Sequence, residues 1–306
     1  MTCTHCLNFQ KLFFLLIIIS INIFGQKLPS LENEIYHAID VFVASPSAES
    51  IKKLDATEHN FWKNPKPKTK NELLALVILN CNKAYYENQF GKMNQAILSY
   101  EKAWQIFQKN KLSNYDITEY CLKPLGNLYT IIGDYDNAEN TIKQYYFIAN
   151  TQKNQQQKIA AIINLSSVYQ SNGKNKLAIA LLENTIQTEK LNTTQKGNLL
   201  NNLGSNYILI NKNEEAKKAL QKAIEFLKKD PSQFESVSNA YRNLATIYKK
   251  EHNYYQANTC FDEARNLFLK TGNSEPRKIA KLDYERSLLL FEQKKIVEAN
   301  LALSSV

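Results

Sequence analysis

The sequence predicts an all-α fold, a right-handed α-solenoid of antiparallel helix pairs, and three observations carry that prediction. Gly and Pro are scarce, 8 and 7 among 306 residues, so few positions can make the tight turns that paired strands require. Leu, Asn, Lys, Ile, Ala and Glu are the commonest residues, and from residue 26 onward the β-branched ones form no alternating runs. A fourteen-residue pattern also recurs four times at a spacing of about forty residues, which is the period of helical-hairpin solenoids. The composition, 44% hydrophobic and 22% charged, is that of a folded globular chain and excludes disordered and collagen-like architectures.

From the N-terminus, Lys11 precedes an apolar stretch, Leu12 to Phe24, interrupted only by Ser20 and Asn22. A membrane-spanning helix needs about 20 apolar residues, whereas the core of a signal peptide needs about 7–15. Residues 1–25 are therefore expected to be a signal peptide cut after Gly25, with the mature chain starting at Gln26 and exported to the periplasm or the medium. An uncleaved N-terminal membrane anchor is the alternative. Residues 26–70 read as a helical cap and linker: two helices within Leu31 to Trp62, parted at Ser45 and Pro46, and then Asn64-Pro65-Lys66-Pro67, which disfavours helix.

The array is expected over residues 71–306. LGNLYTIIGDYDNA (Leu125 to Ala138), LSSVYQSNGKNKLA (Leu165 to Ala178), LGSNYILINKNEEA (Leu203 to Ala216) and LATIYKKEHNYYQA (Leu244 to Ala257) superimpose without gaps. Each carries Leu, then a small residue (Gly126, Ser166, Gly204, Ala245), then Tyr (Tyr129, Tyr169, Tyr207, Tyr248) and finally Ala. Leu, the small residue and Tyr share one helical face, and the small residue lets a partner helix come close. Gly133, Gly173, Asn211 and His252 occupy the slot where the first helix should stop in a left-handed conformation. An earlier unit around Ile78 to Ala103 fits only with about two extra residues in its turn, and a degenerate sixth around Leu282 to Leu303 is cut short at Val306.

This pattern resembles the tetratricopeptide repeat. The second unit supplies Leu122, Leu125, Gly126, Tyr129, Gly133, Ala138 and Ile142, with Tyr145 in place of the family's second Ala; the fifth supplies Tyr241, Leu244, Ala245, Tyr248, Ala257, Phe261 and Ala264. The resemblance implies about five repeats plus the sixth, with helices about a turn longer than the family's because the period is longer. It also implies a function in binding proteins or extended peptides along a concave groove. An array behind a signal peptide is similar, too, to the N-terminal regions of longer proteins that end in a CHAT caspase-like protease or a sensor histidine kinase. The alternative function is accordingly the sensory or regulatory part of such an enzyme, whose catalytic domain this sequence does not contain.

Chemistry-bearing motifs are missing. No nucleotide loop, H-E-x-x-H, G-x-S-x-G or EF-hand pattern occurs, so no enzyme, metal or cofactor is expected. Cys3 and Cys6 precede the apolar core, and Cys81, Cys121 and Cys260 have no C-x-x-C spacing among them, which argues against structural zinc and a disulfide framework. Cys81 and Cys260 read as small core residues; three cysteines in a mature chain leave at least one thiol without an intramolecular partner. The formal charge of +9 comes from Lys scattered along the chain, which speaks for solubility and a mild bias to acidic partners rather than nucleic acid.

The candidate site is a row of amides. The residue before the motif Leu is Asn164, Asn202 and Asn243 in three consecutive units, and Asn80 in the first under its insertion register, while the second has Pro124. In the family resembled, that slot lines the groove, where an Asn amide can both donate to and accept from a peptide backbone. Neighbouring slots carry Lys123, Asn127, Asn201, Arg242, Lys249 and Lys250, which makes the fifth unit the most basic and points to an acidic peptide. Leu301, Leu303 and Val306 leave an apolar C-terminal edge, for which self-association is expected.

Overall fold

The computed structural model describes residues 30–270 and 276–304, and all their regular structure is helical. The expected signal peptide and Val306 lie outside the described residues. The chain divides into two compact units, residues 1–128 and 129–306.

In the first unit, α1 (Leu31–Ala44) and α2 (Ala48–Lys63) form a pair, and α3 (Lys70–Gln89) pairs with α4 (Met93–Lys109). A short π-helix, Thr118–Leu122, then opens α5 (Lys123–Ile132). Helix starts follow local chemistry: Ser30 caps α1, Ser47 and Ser50 cap α2 reciprocally, and Thr69 with Glu72 does the same for α3, satisfying amides that have no intrahelical partner. Ile35, Ile39 and Phe42 of α1 and Ile51, Leu54 and Phe61 of α2 are buried at helical spacing.

The second unit takes the end of α5 from Tyr129, then α6 (Tyr135–Thr151), α7 (Gln155–Ser171), α8 (Asn175–Thr188), α9 (Thr193–Leu209) and α10 (Asn213–Leu227). A 3-10 turn, Pro231–Gln233, leads into α11 (Phe234–Lys250), followed by α12 (Tyr254–Lys270), α13 (Pro276–Glu292) and α14 (Ile296–Ser304). Each of the first helices α7, α9, α11 and α13 is 17 residues long. A continuous apolar core runs from Ile159 through Leu182, Leu203, Leu220 and Phe261 to Leu289.

The six hairpin turns from α3 onward share one construction. Gly91, Gly133, Gly173, Asn211, His252 and Lys294 have φ between +58° and +81°, the left-handed conformation that Gly and Asn adopt at least cost. The following amide closes onto the carbonyl five residues back, Lys92 to Glu87, Asp134 to Tyr129, Lys174 to Tyr169, Lys212 to Tyr207, Asn253 to Tyr248 and Lys295 to Leu290, at 2.8–3.0 Å. Five residues after each left-handed position comes an alanine, and Ala96, Ala138, Ala178, Ala216 and Ala257 are completely buried, with Ala299 nearly so. The helices touch there: a Cβ placed on Gly204 would stand 2.6 Å from Leu220 Cγ and 3.3 Å from the Ala216 carbonyl.

This common construction corrects the register of the first unit. Its turn holds no extra residues, since Gly91 precedes Ala96 by the same five positions. Glu87, not Tyr85, occupies the Tyr slot: it is buried and accepts the Ser99 hydroxyl at 2.8 Å, whereas Tyr85 is exposed. A buried carboxylate where the motif has Tyr disguised the repeat. Burial holds Glu87 above the ordinary carboxylate range, against the pull of Ser99 and Lys83.

Polar residues replace core apolar ones at both ends. Where interior hairpins have Leu122, Ile162, Leu200 or Tyr241, the first has Asn80 and the last has Asp283; where they have Leu125, Leu165, Leu203 or Leu244, these have Lys83 and Arg286. Lys83 pairs with Asp55 of α2, and Asn80 Nδ2 donates to Glu58 at 3.1 Å. Arg265 of α12 holds buried Asp283 at 2.9 Å, and Arg286 reaches Asp262 at 2.9 Å.

Gly204→Ala provides a signed test of the crossing. Helix propensity alone would stabilise the protein by about 1 kcal/mol, but the contact with Leu220 should reverse the sign to a loss of about 1–2 kcal/mol. Chemical denaturation of the two proteins measures it; a stabilised variant would show that the helices can part at this point.

Candidate functional site

In the second unit the first helices stand side by side and are joined by side chains lying one repeat apart. Gln170 of α7 donates to Ser205 of α9 at 2.8 Å. Asn198 and Asn201 of α9 donate to the Gln233 side chain at 3.2 Å and to the Ser236 carbonyl at 3.0 Å. Between α11 and α13 the links are ionic: Arg242 to Glu285 at 3.4 Å, Lys249 to Glu292 at 2.7 Å and Lys278 to Glu235 at 2.6 Å. The result is a polar wall that passes from neutral amides on α7 and α9 to balanced ion pairs on α11 and α13.

The row of asparagines lies on this wall. Asn164, Asn202 and Asn243 are all half-buried at the same helical position of α7, α9 and α11. The Asn202 amide donates to the Asn198 carbonyl at 2.9 Å in its own helix. Asn164 Nδ2 and Asn201 Oδ1 are buried without a hydrogen-bond partner, so the wall keeps a donor and an acceptor unfilled.

Other expected site residues stand elsewhere. Asn80 is displaced by the corrected register: Asn82 holds the row's slot in the first unit, with its amide donating to the Ile78 carbonyl at 2.9 Å. Asn80 is a core residue bonded to Glu58 and to the Leu76 carbonyl. Asn127 is exposed in the first unit, and Lys123 is paired with Glu119 at 2.7 Å. The expected basic end is also corrected, because Glu285 and Glu292 balance Arg242 and Lys249, while Lys250 stays exposed. Ser205, Asn198, Glu285 and Glu292 were not picked out from the sequence. The usable signal was complementary polar residues one repeat apart, such as Arg242 and Glu285.

Behind the wall, three motif tyrosines of the second unit tie their hairpins to the preceding ones. Tyr169 donates to Glu139 of α6 at 3.2 Å, Tyr207 to Glu183 of α8, and Lys217 of α10 lies 5.9 Å above the Tyr248 ring. Burial and the adjoining carboxylates raise the Tyr169 and Tyr207 phenols, while the Lys143 hydrogen bond holds Glu139 below the usual carboxylate range. Among the described residues, no group of His, Cys, Asp and Glu is placed to hold a metal ion.

The tetratricopeptide repeat family model matches residues 197–226, which span most of α9 and all but the end of α10 and include Gly204, Tyr207 and Ala216. Residues 197–226 therefore match a tetratricopeptide repeat, and the rest of the chain shares the fold of such arrays. Its fold is similar to that of Rap protein complexed with Competence and Sporulation Factor (TM-score 0.61, 16% identity, 97% of this chain and 81% of that one). A tetratricopeptide repeat protein from Parabacteroides merdae is similar to the same degree (TM-score 0.61, 16% identity, 89% and 90% covered). So is NprR in complex with its cognate peptide NprX (TM-score 0.58, 14% identity, 94% and 80% covered). No curated protein sequence matches the chain significantly. At these identities the likeness is one of fold.

Asn80→Leu separates core from wall in the first unit. It restores the apolar residue found at Leu122 and Leu200 and leaves Lys102 on Glu58 at 2.7 Å. Stability should therefore change by less than about 1 kcal/mol, with no change in peptide affinity. Weakened binding in a variant of unchanged melting temperature would return Asn80 to the site.

Proposed function

We propose that this protein is a non-catalytic scaffold that binds an extended peptide, or an extended segment of a partner protein, on the wall formed by α7, α9 and α11. The observation that carries the reading is the placement of Asn164, Asn202 and Asn243 at one helical position of three successive first helices, one per hairpin. An extended peptide has backbone groups free on both edges, and a row of amides meets donors and acceptors alike without reading side chains. Rap and NprR, which share the fold, are seen with Competence and Sporulation Factor and with the peptide NprX, and this supports a peptide as the occupant. Because Arg242 and Lys249 already have acidic partners, backbone recognition dominates, and Lys250 adds only a weak preference for an acidic residue at one end. The proposal extends to location: with its leader removed before Gln26, the protein would act outside the cytoplasm.

Selection of a displayed random peptide library on the full chain supplies a ligand for calorimetric titration. Each neutral hydrogen bond contributes about 0.5–1.5 kcal/mol net. The triple change Asn164→Ala, Asn202→Ala and Asn243→Ala should therefore weaken binding tenfold or more, while circular dichroism stays that of the parent. Unchanged affinity would move the binding surface off this wall.

A further inference from the structure

The wall changes character on its last helix. One repeat after Asn201, Ser205 and Ile208 of α9 come Arg242, Thr246 and Lys249 of α11, and one repeat after those come Tyr284, Leu288 and Phe291 of α13. On α9 and α11 these positions are buried or half-buried, and side chains there reach the neighbouring first helix, as Asn201 reaches the Ser236 carbonyl and Lys249 reaches Glu292. On α13 they are exposed, Tyr284 by 52%, Leu288 by 40% and Phe291 by 64%. Spacings of four and three residues put all three on one stripe of the helix.

The stripe is apolar, and the charged residues adjoining it in sequence already have partners. Arg242 holds Glu285 at 3.4 Å, Lys249 holds Glu292 at 2.7 Å, Arg265 holds Asp283 and Arg286 turns to Asp262, both at 2.9 Å. An apolar group laid on the stripe therefore strands none of these charges. Size decides between occupants. A fully buried aromatic side chain hides about 150–250 Å², so three half-exposed side chains offer roughly 300 Å². A stable protein–protein interface takes about 800 Å² from each partner. The stripe is too small to hold a second copy of the chain and large enough for a side chain of a peptide.

We infer that Tyr284, Leu288 and Phe291 are the anchoring subsite of the wall, taking one large apolar side chain, aliphatic or aromatic, of the extended ligand. The assignment rests on the reading that α7, α9 and α11 bind a peptide. Packed helices stand about 8–10 Å apart and an extended chain advances about 3.3 Å per residue, so the anchor lies about three residues along the peptide from the one over Asn243. The amide row then holds backbones of any sequence, and the stripe chooses among them.

The test uses a peptide selected on the full chain and a variant carrying Leu288→Ser and Phe291→Ser, both at exposed positions. Selected peptides should share one large apolar residue, and its replacement by Ala should weaken titrated binding to the parent about tenfold or more. The Ser variant should bind the selected peptide as weakly and no longer distinguish it from the Ala peptide, with circular dichroism unchanged. The inference is overturned if the Ser variant binds and discriminates as the parent does. The triple variant at Asn164, Asn202 and Asn243 then separates the two readings: lost affinity there leaves the wall reading standing, and unchanged affinity removes it as well. Sedimentation should find the same association state for parent and Ser variant; a dimer that the Ser changes dissociate would overturn the inference by giving the stripe to a second copy.

Discussion

The architecture depends on the close crossing of two helices at an alanine. In the six hairpins from α3 onward, the alanine stands five positions after the left-handed turn residue, and the same amide-to-carbonyl bond closes the turn. With the turn fixed, the second helix returns along the first at a distance set by a methyl group. The small residue on the first helix follows from the same constraint, and at Gly204 even a methyl meets Leu220. The constraint is steric and local, so the flanking sequence is free to vary. That freedom is why His252 and Lys294 can stand where Gly133 and Gly173 do.

What varies is how one hairpin meets the next. Joints inside the second unit bury Leu and Ile, with Tyr169 and Tyr207 bridging to the helix before. The terminal joints use Asn80 and Lys83, or Asp283 and Arg286, against acidic or oppositely charged residues on the preceding helix. Buried ion pairs contribute less net stability than the apolar contacts they replace. They do restrict which surface can dock, since a charged face left without its counterpart is costly. The same economy governs the wall, where cations of α11 meet carboxylates of α13.

Most of the fold was legible in the sequence because the steric motif is short and repeats in phase. Tyr129, Tyr169, Tyr207 and Tyr248 and the four alanines at 138, 178, 216 and 257 are enough to place the interior helices. The first hairpin was misread by two residues because Glu87 fills the aromatic slot and Tyr85 nearby imitates it. Pairing across repeats was less legible. Arg242 and Lys249 looked like free cations, since each has its carboxylate 43 residues away in the chain, and only the stacking of first helices brings Glu285 and Glu292 to them.

The second unit carries an amide-bearing face, and the central claim concerns that face. Hydrogen exchange of the full chain, with and without a saturating selected peptide, tests it most directly. Protection gained on binding should concentrate on α7, α9 and α11, within 155–171, 193–209 and 234–250, with little change in α8 and α10. Protection gained chiefly in α8 and α10 would contradict the account.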